Sequence, residues 1–244
     1  MPVAAAVPAS AAGFATESSR QPHVSAEAAR YSVLRRLAPA LKHDMVVNLQ
    51  AVSMMAEVLS AKLEKGLPAS AEVQKNISKI NRLARDAVRT CVKVTEWIGP
   101  AEDEGVRLGE GVEECVTLLQ SSFNFHGFSI SNNVPEAKFE VSRVALRNLL
   151  VASLITLTDA APSPCDVFVD AEITSGFAVL TVRCTPGEDD REGLPSDLSY
   201  RRLEWSDVQA LAVAESVELF RTSDHIVIRM PRMVATTPLL IVPL

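Results

Sequence analysis

The stretch Gly66-Leu67-Pro68-Ala69-Ser70, GLPAS, separates two long segments of helical periodicity and decides the fold. Gly66 can end a helix by taking a positive φ, Pro68 cannot continue one, and Ser70 can cap the next. Upstream, from about Ala26 to about Lys65, Leu34, Leu41, Met45, Val52, Ala56, Leu59 and Leu63 recur at helical intervals. Downstream, from Ala71, the residues Ile77, Ile80, Ala84, Ala87, Cys91, Val94 and Ile98 step alternately by three and four, a heptad seam, and Gly99-Pro100 stops it. Two helices of about 30 residues each reach roughly 45 Å at the α-helical rise. Joined by so short a turn, they must fold back as an antiparallel hairpin. One hairpin is too thin to cover both seams. Two hairpins from two chains make a four-helix bundle, so a homodimer is expected.

The rest of the composition bounds the function. A chain of 244 residues suggests one or two domains, and 48% apolar with only 5% aromatic residues predicts an aliphatic core. A formal net charge of −6 argues against a general nucleic-acid binder. No apolar run is long enough for a membrane span. Residues 1–25, rich in Ala, Ser and Pro and without a basic segment before the apolar stretch, read as a disordered leader and not as a secretory signal. Cys91, Cys115, Cys165 and Cys184 are too far apart for a zinc knuckle or a C-x-x-C pair. Each reads as a small buried apolar residue in a reducing, cytoplasmic setting.

Beyond the hairpin, assigned to residues 26–99, residues 104–244 change character. Val106-Arg107-Leu108 is a short strand candidate, Gly111 to about Phe123 is helical, and Phe128–Ser131 alternates like a strand. Ser142 is a candidate N-cap for an apolar helix to Asp159. The strands CDVFVDAEI and FAVLTVRC are joined by Thr174-Ser175-Gly176, a hairpin signal. After a polar loop, residues 205–220 read as one helix opened by a Ser206/Gln209 capping box, and HIVIRM is a last strand. Helices on one face of a mixed sheet would bury these faces, so the fold class is α+β: a long helical hairpin followed by a two-layer α/β sandwich. The apolar, proline-broken tail from Val234 is expected to pack back on the body.

The first helix carries one odd residue, His43. It shares a face with Pro39, Ala40, Val46, Val47, Gln50 and Met54, nearly opposite the seam through Leu41, Met45 and Val52. An outward imidazole in a partly apolar stripe suits a docking surface with a reactive group in it; the plain alternative is a surface histidine with no task. Asp44 lies about 100° round the helix but its carboxylate can reach back to Nδ1 and hold the tautomer, leaving Nε2 as nucleophile. Pro39 either kinks the helix just ahead of the site or marks its start. On the second helix Lys75, Lys79, Arg82, Arg89 and Lys93 form a basic stripe interrupted by Asp86, either an ordinary solvated face or a means of steering an acidic partner. His23, His126 and His225 have no comparable setting.

The segment H-D-M-V-V-N-L-Q-A-V-S from His43 resembles the H-box of two-component sensor histidine kinases, with His43, Asn48, Leu49, Gln50 and Ser53 on matching positions. The resemblance implies that His43 is the phospho-accepting histidine, that Asp44 assists proton transfer, and that the hairpin is the dimerisation and phosphotransfer domain. The second region has the element order of the kinases' ATPase-like domain. Val144 to Ala160 is similar to the N-box helix: Asn148, Leu149 and Leu150 fit, but Ala152 stands for the magnesium-holding asparagine and Ile155 for the lysine. In the D-x-G-x-G box the aspartate position is Cys184 and one glycine, Gly187, is left; the second glycine box reads YRRLEWSD. Nucleotide phosphates need backbone N–H groups brought close by glycines, and Mg²⁺ needs oxygen ligands.

That combination resembles bacterial dimeric histidine phosphotransferases, which pass phosphoryl groups between receiver-domain aspartates. It implies transfer through His43 without ATP, and no cofactor or metal held by this chain, Mg²⁺ coming with the receiver. Receiver domains would dock on Pro39, Val46, Val47, Gln50 and Met54 with Lys79 and Arg82. Two other expectations remain open: a non-catalytic regulator that binds a kinase or receiver, and an active kinase with an unusual nucleotide site.

Overall fold

The computed structural model describes residues 14–66, 69–98, 104–161, 164–187 and 201–233. It has two compact units, Leu34–Asp103 and a second made of Met1–Val33 with Glu104–Leu244. The architecture is α+β.

Helix α1 spans Phe14–Glu64 and α2 spans Ser70–Ile98. Gly66 has a φ of +140°, a conformation open to glycine and strained for L side chains, which ends the chain's helical course there. Lys62 pairs with Glu72 across the turn, and the Cys91 thiol lies 3.1 Å from the Met45 sulfur further along, so the two helices run antiparallel. The Lys62 side chain holds the Glu72 carboxyl below the usual carboxylate range. Ser70 is the first helical residue and not the cap: the Ala69 carbonyl accepts from the Glu72 and Val73 amides.

Three expectations change here. Helix α1 begins at Phe14, so the part of the supposed leader from residue 14 is helical, and the chain runs on through Pro22 and Pro39 without ending. Residues 1–13, the Leu67-Pro68 step, the polar loop 188–200 and the tail from Val234 lie outside the described residues. The seam is also barer than a closed core: Leu41 and Ala87 are buried, Leu34, Met45, Val52, Leu59, Ile80 and Ala84 are half-buried, and Ala56, Leu63 and Ile77 are exposed. Cys91, a seam residue, is therefore exposed and Cys184 half-buried, whereas Cys115 and Cys165 are buried as expected.

The second unit is a two-layer sandwich. Its strands are β1 (Gly105–Arg107), β2 (Phe128–Asn132), β3 (Glu140–Ser142), β4 (Cys165–Ile173), β5 (Phe177–Pro186), β6 (Glu218–Arg221) and β7 (His225–Pro231). Its own helices are α3 (Leu108–Phe125), α4 (Arg143–Ala160) and α5 (Trp205–Ala214). The main sheet has the order β2-β4-β5-β7-β6, with β2 parallel to β4 and the other pairs antiparallel; β1 and β3 form a separate antiparallel pair. Alternate residues Val167 and Val169, Ala178, Leu180 and Val182, and Ile226 and Ile228 are wholly buried on one face, as the two-residue strand period requires. Helix α4 lies over β5 and β7 between α3 and α5, which is why this largely apolar helix is buried from Ala145 to Thr158 at every position but Arg147. The Ser142 hydroxyl caps it, accepting from the Ala145 amide at 3.3 Å.

The long helix expected over residues 205–220 is two elements. Helix α5 stops at Ala214, Ser216 takes a φ of 55°, and the chain turns into the edge strand β6. Because α5 starts at Trp205, its capping box is Glu204 with Asp207, not Ser206 with Gln209. The strands β3 and β6 are too short to show a period of two.

On the open face of the sheet, Asp170 of β4 is tied to β5 and to the residue that follows β2. Its carboxylate accepts from the Asn133 amide and from Arg183 Nε, each at 3.0 Å. The Asn133 hydrogen bond first, against partial burial, and then Arg183 hold this carboxyl below its usual range. A depressed folded value means that the stabilisation is complete above the unfolded carboxylate pKa of about 4 and fades as pH falls through the lower folded one. The gap in urea midpoint between the wild type and Asp170→Asn is expected to shrink from pH 7 to pH 3; a constant gap would show that the carboxylate's charge is irrelevant.

Candidate functional site

The hairpin unit carries His43 near the middle of α1. Its side chain is 76% exposed, and Asp44 Oδ1 lies 3.5 Å from its Nδ1. That separation is longer than a good hydrogen bond, but it places the negative charge on the Nδ1 side and leaves Nε2 clear of Asp44. A cavity of about 260 Å³ opens beside the imidazole, lined by His43, Asp44, Val47 and Asn48 of α1 and by Asp86, Arg89 and Thr90 of α2. Arg89 Nη1 donates to Asp86 Oδ1 at 3.0 Å, and the Thr90 hydroxyl donates to the Asp86 carbonyl at 3.2 Å. A second cavity along α2 is lined by Ser78, Asn81, Arg82, Arg85, Asp86 and Arg89, so Asp86 and Arg89 border both.

The residues expected around His43 divide. Val47 lines the first cavity and Arg82 the second. Pro39, Gln50, Met54 and Lys79 are exposed on their helices, and Val46 is half-buried and so partly taken up by packing. The contribution of α2 to the His43 cavity went unread. Asp86 is an interruption and Arg89 one member of a charged stripe along the sequence, and Thr90 carries no signal there. Their place beside His43 depends on the closure of the hairpin, which periodicity along one helix does not report.

The second unit shows what occupies the positions matching the nucleotide boxes. Ala152 is fully buried and Ile155 nearly so, both within the apolar packing of α4. Asn148 is buried, and its Nδ2 donates to Glu215 Oε1 at 2.9 Å. Arg30, on the first part of α1, donates to the same Glu215 oxygen at 2.8 Å. The boundary between units accordingly falls within α1, with Ala26, Ala29 and Val33 buried on a single helical face. Residues Cys184, Thr185 and Pro186 belong to strand β5, Pro186 lying opposite Cys165, so the backbone there is strand and not loop. Burial, followed by the neighbouring Cys165 thiol, pushes the Cys184 thiol up to about 12. Ahead of α5, Arg201 pairs with Asp207, whose carboxylate also accepts from the Glu204 amide at 2.9 Å.

The Arg30–Glu215–Asn148 chain is a stability element. Glu215 has only 13% of its side chain exposed, so its charge depends on these partners. Arg30→Ala is expected to lower the unfolding free energy by about 1–3 kcal/mol, the range for a charged group losing a partly buried partner. Urea denaturation measures it, and a change within error would show that Glu215 is adequately held by Asn148 alone.

Among the described residues, no group of three or more His, Cys, Asp or Glu side chains is placed to hold a metal ion. No helix among them is long and apolar enough to cross a membrane.

No family model and no curated protein sequence matches the chain. Several solved structures are similar to it. The Acinetobacter baumannii histidine kinase AdeS overlaps 78% of this chain and 97% of its own at 12% identity and a TM-score of 0.42. Histidine kinase ThkA, in a complex with the response regulator protein TrrA, overlaps 93% of this chain and 68% of its own at 14% identity and a TM-score of 0.44. A bacterial phosphotransferase overlaps 81% of this chain and 95% of its own at 15% identity and a TM-score of 0.37.

Proposed function

We propose that the chain is a histidine phosphotransferase of two-component signalling, carrying a phosphoryl group between receiver-domain aspartates through His43. The observation that carries this reading is an imidazole exposed at a cavity floored by two helices, with a carboxylate on its Nδ1 side and Nε2 free. The chemistry asks little more of this protein. The Nε2 lone pair attacks the phosphorus of an aspartyl phosphate, the N–P bond forms, and the P–O bond breaks with its electron pair leaving on the receiver's carboxylate. The phosphoimidazolium then releases its Nδ1 proton, on the side where Asp44 sits. Transfer to a second receiver reverses these steps. The receiver brings its own Mg²⁺, and this chain contributes nucleophile, docking face and position.

Val47 and Met54, 46% and 62% exposed, with the arginines of α2, form that docking face in this reading. A homodimer belongs to it as well: Leu49, Val58, Leu63, Ile77, Val88 and Val92 are all exposed on the hairpin of a single chain, more apolar surface than a stable soluble hairpin leaves bare. The absence of ATP chemistry is supported by the use of Asn148 for Glu215 and by the burial of Ala152 and Ile155 within α4.

The test is incubation of the full chain with a receiver carrying labelled aspartyl phosphate. Label should leave the receiver and appear on this chain in acid-labile, base-stable form. Binding without transfer would favour a regulator, and labelling from ATP alone would favour a kinase with an unusual nucleotide site.

A further inference from the structure

We propose that Arg89 is a phosphoryl-binding residue, the counter-charge that α2 holds ready for a phosphate group on His43; the inference rests on His43 being phosphorylated. It follows from the charges around the cavity. A phosphohistidine brings close to two negative charges into a space that Asp44 and Asp86 already border. Those carboxylates repel it, and no water-exposed dipole matches a fixed cation. Arg89 is the one cationic side chain among the described residues lining this cavity. Its guanidinium presents several N–H donors in a planar fork suited to phosphate oxygens.

That guanidinium is held beside Asp86 on its own helix. Nη1 lies 3.0 Å from Asp86 Oδ1, an i, i+3 pair on one helix, with the Arg89 side chain 68% exposed. A pair so exposed is worth little, so it costs little to exchange the Asp86 carboxylate for a phosphoryl group that carries more charge. Asp86 therefore has two effects: it orients Arg89 before the phosphoryl arrives and competes with it afterwards. Arg82 and Arg85 line the adjoining cavity, which shares Asp86 and Arg89 with the first. The three arginines form a positive approach that ends at His43, and Arg89 is the member at the reacting group.

A small-molecule phosphoryl donor tests this without any receiver. Phosphoramidate transfers its phosphoryl group to an imidazole nitrogen as its P–N bond breaks and ammonia leaves. The full chain is incubated with it and followed by ³¹P NMR, which reads the loading rate, the chemical shift of the phosphohistidine and its lifetime. Arg89→Gln is expected to load about tenfold more slowly and to lose the group several-fold faster, the scale of one charge-assisted hydrogen bond. Arg89→Lys should restore part of the lifetime, and Asp86→Asn should load faster than the wild type. Equal rate, shift and lifetime in Arg89→Gln and the wild type would overturn the assignment of Arg89 while leaving phosphorylation of His43 intact. Failure of the wild type to load at His43, with free imidazole loading in the same tube, would overturn the phosphotransfer reading and this inference with it.

Discussion

A chain carrying His43→Gln is expected to take no acid-labile label from a phosphorylated receiver, a loss of at least about a thousandfold because the nucleophile itself is gone. The substitution is clean for physical reasons. Glutamine has no ring nitrogen lone pair that can form a stable N–P bond, yet its helix propensity is at least that of histidine. The replaced side chain is 76% exposed, so little packing is lost. The variant should therefore keep the helix content and association state of the wild type while losing transfer. Those properties are read by circular dichroism and light scattering beside the label assay. Label persisting on the variant would move the phosphoryl site away from His43, and with it the whole functional reading. Binding of the receiver should survive, since the docking face proposed around Val47 and Met54 is untouched.

Gly111→Val is expected to destabilise the α/β unit strongly. A Cβ at Gly111 would stand 2.6 Å from Leu146 Cδ2 and 2.9 Å from Val106 Cγ1. Neither neighbour can give way cheaply, because Leu146 and Val106 are 1% and 3% exposed and held by the packing of α3, α4 and β1. The competing effect is helix propensity, which favours a residue with a Cβ over glycine by up to about 1 kcal/mol. Overpacking a tight core costs about 1–3 kcal/mol for a small intrusion, so Gly111→Ala is expected to be neutral to moderately destabilising. Valine adds two methyl groups to the same clash and gains less from propensity, so its loss should stand at or above the top of that range, about 3 kcal/mol. Thermal and urea unfolding of the two variants give the ordering glycine, alanine, valine. A variant more stable than the wild type would show that α3 and α4 are free to move apart.

Much of the hairpin was legible along the chain. GLPAS combines a glycine that can take positive φ with a proline, and the seven-residue recurrence of apolar positions on either side reports helix before any contact is known. The alternation in Cys165–Ile173 and in Phe177–Cys184, with the Thr174–Gly176 turn, likewise marks the strand pair, while its register and its extension to Pro186 come from the structure. His43 was turned outward by the same geometry, since it lies opposite Leu41, Met45 and Val52 on a helix. Periodicity failed where elements are short or where composition points two ways. Strands β3 and β6 have three and four residues, at most two repeats of the pleat. Residues 14–25, FATESSRQPHVS, carry a proline and no apolar period, so nothing local marks them as helix.

What the sequence by itself determined is the set of faces: which residues of a helix or strand share a side, and that His43 lies opposite the Leu41–Met45–Val52 side. Only the tertiary structure decided which face meets which. It set Asp86 and Arg89 beside His43, it spent Asn148 on Glu215, and it brought Arg30 to the same carboxylate from a distant part of the chain. The physical reason is that a helix or strand period is a local property, fixed by backbone geometry over a few residues. The partner of a charged side chain is fixed by closure of the chain over tens of residues, and the energy that selects it is spread through the packing of both elements.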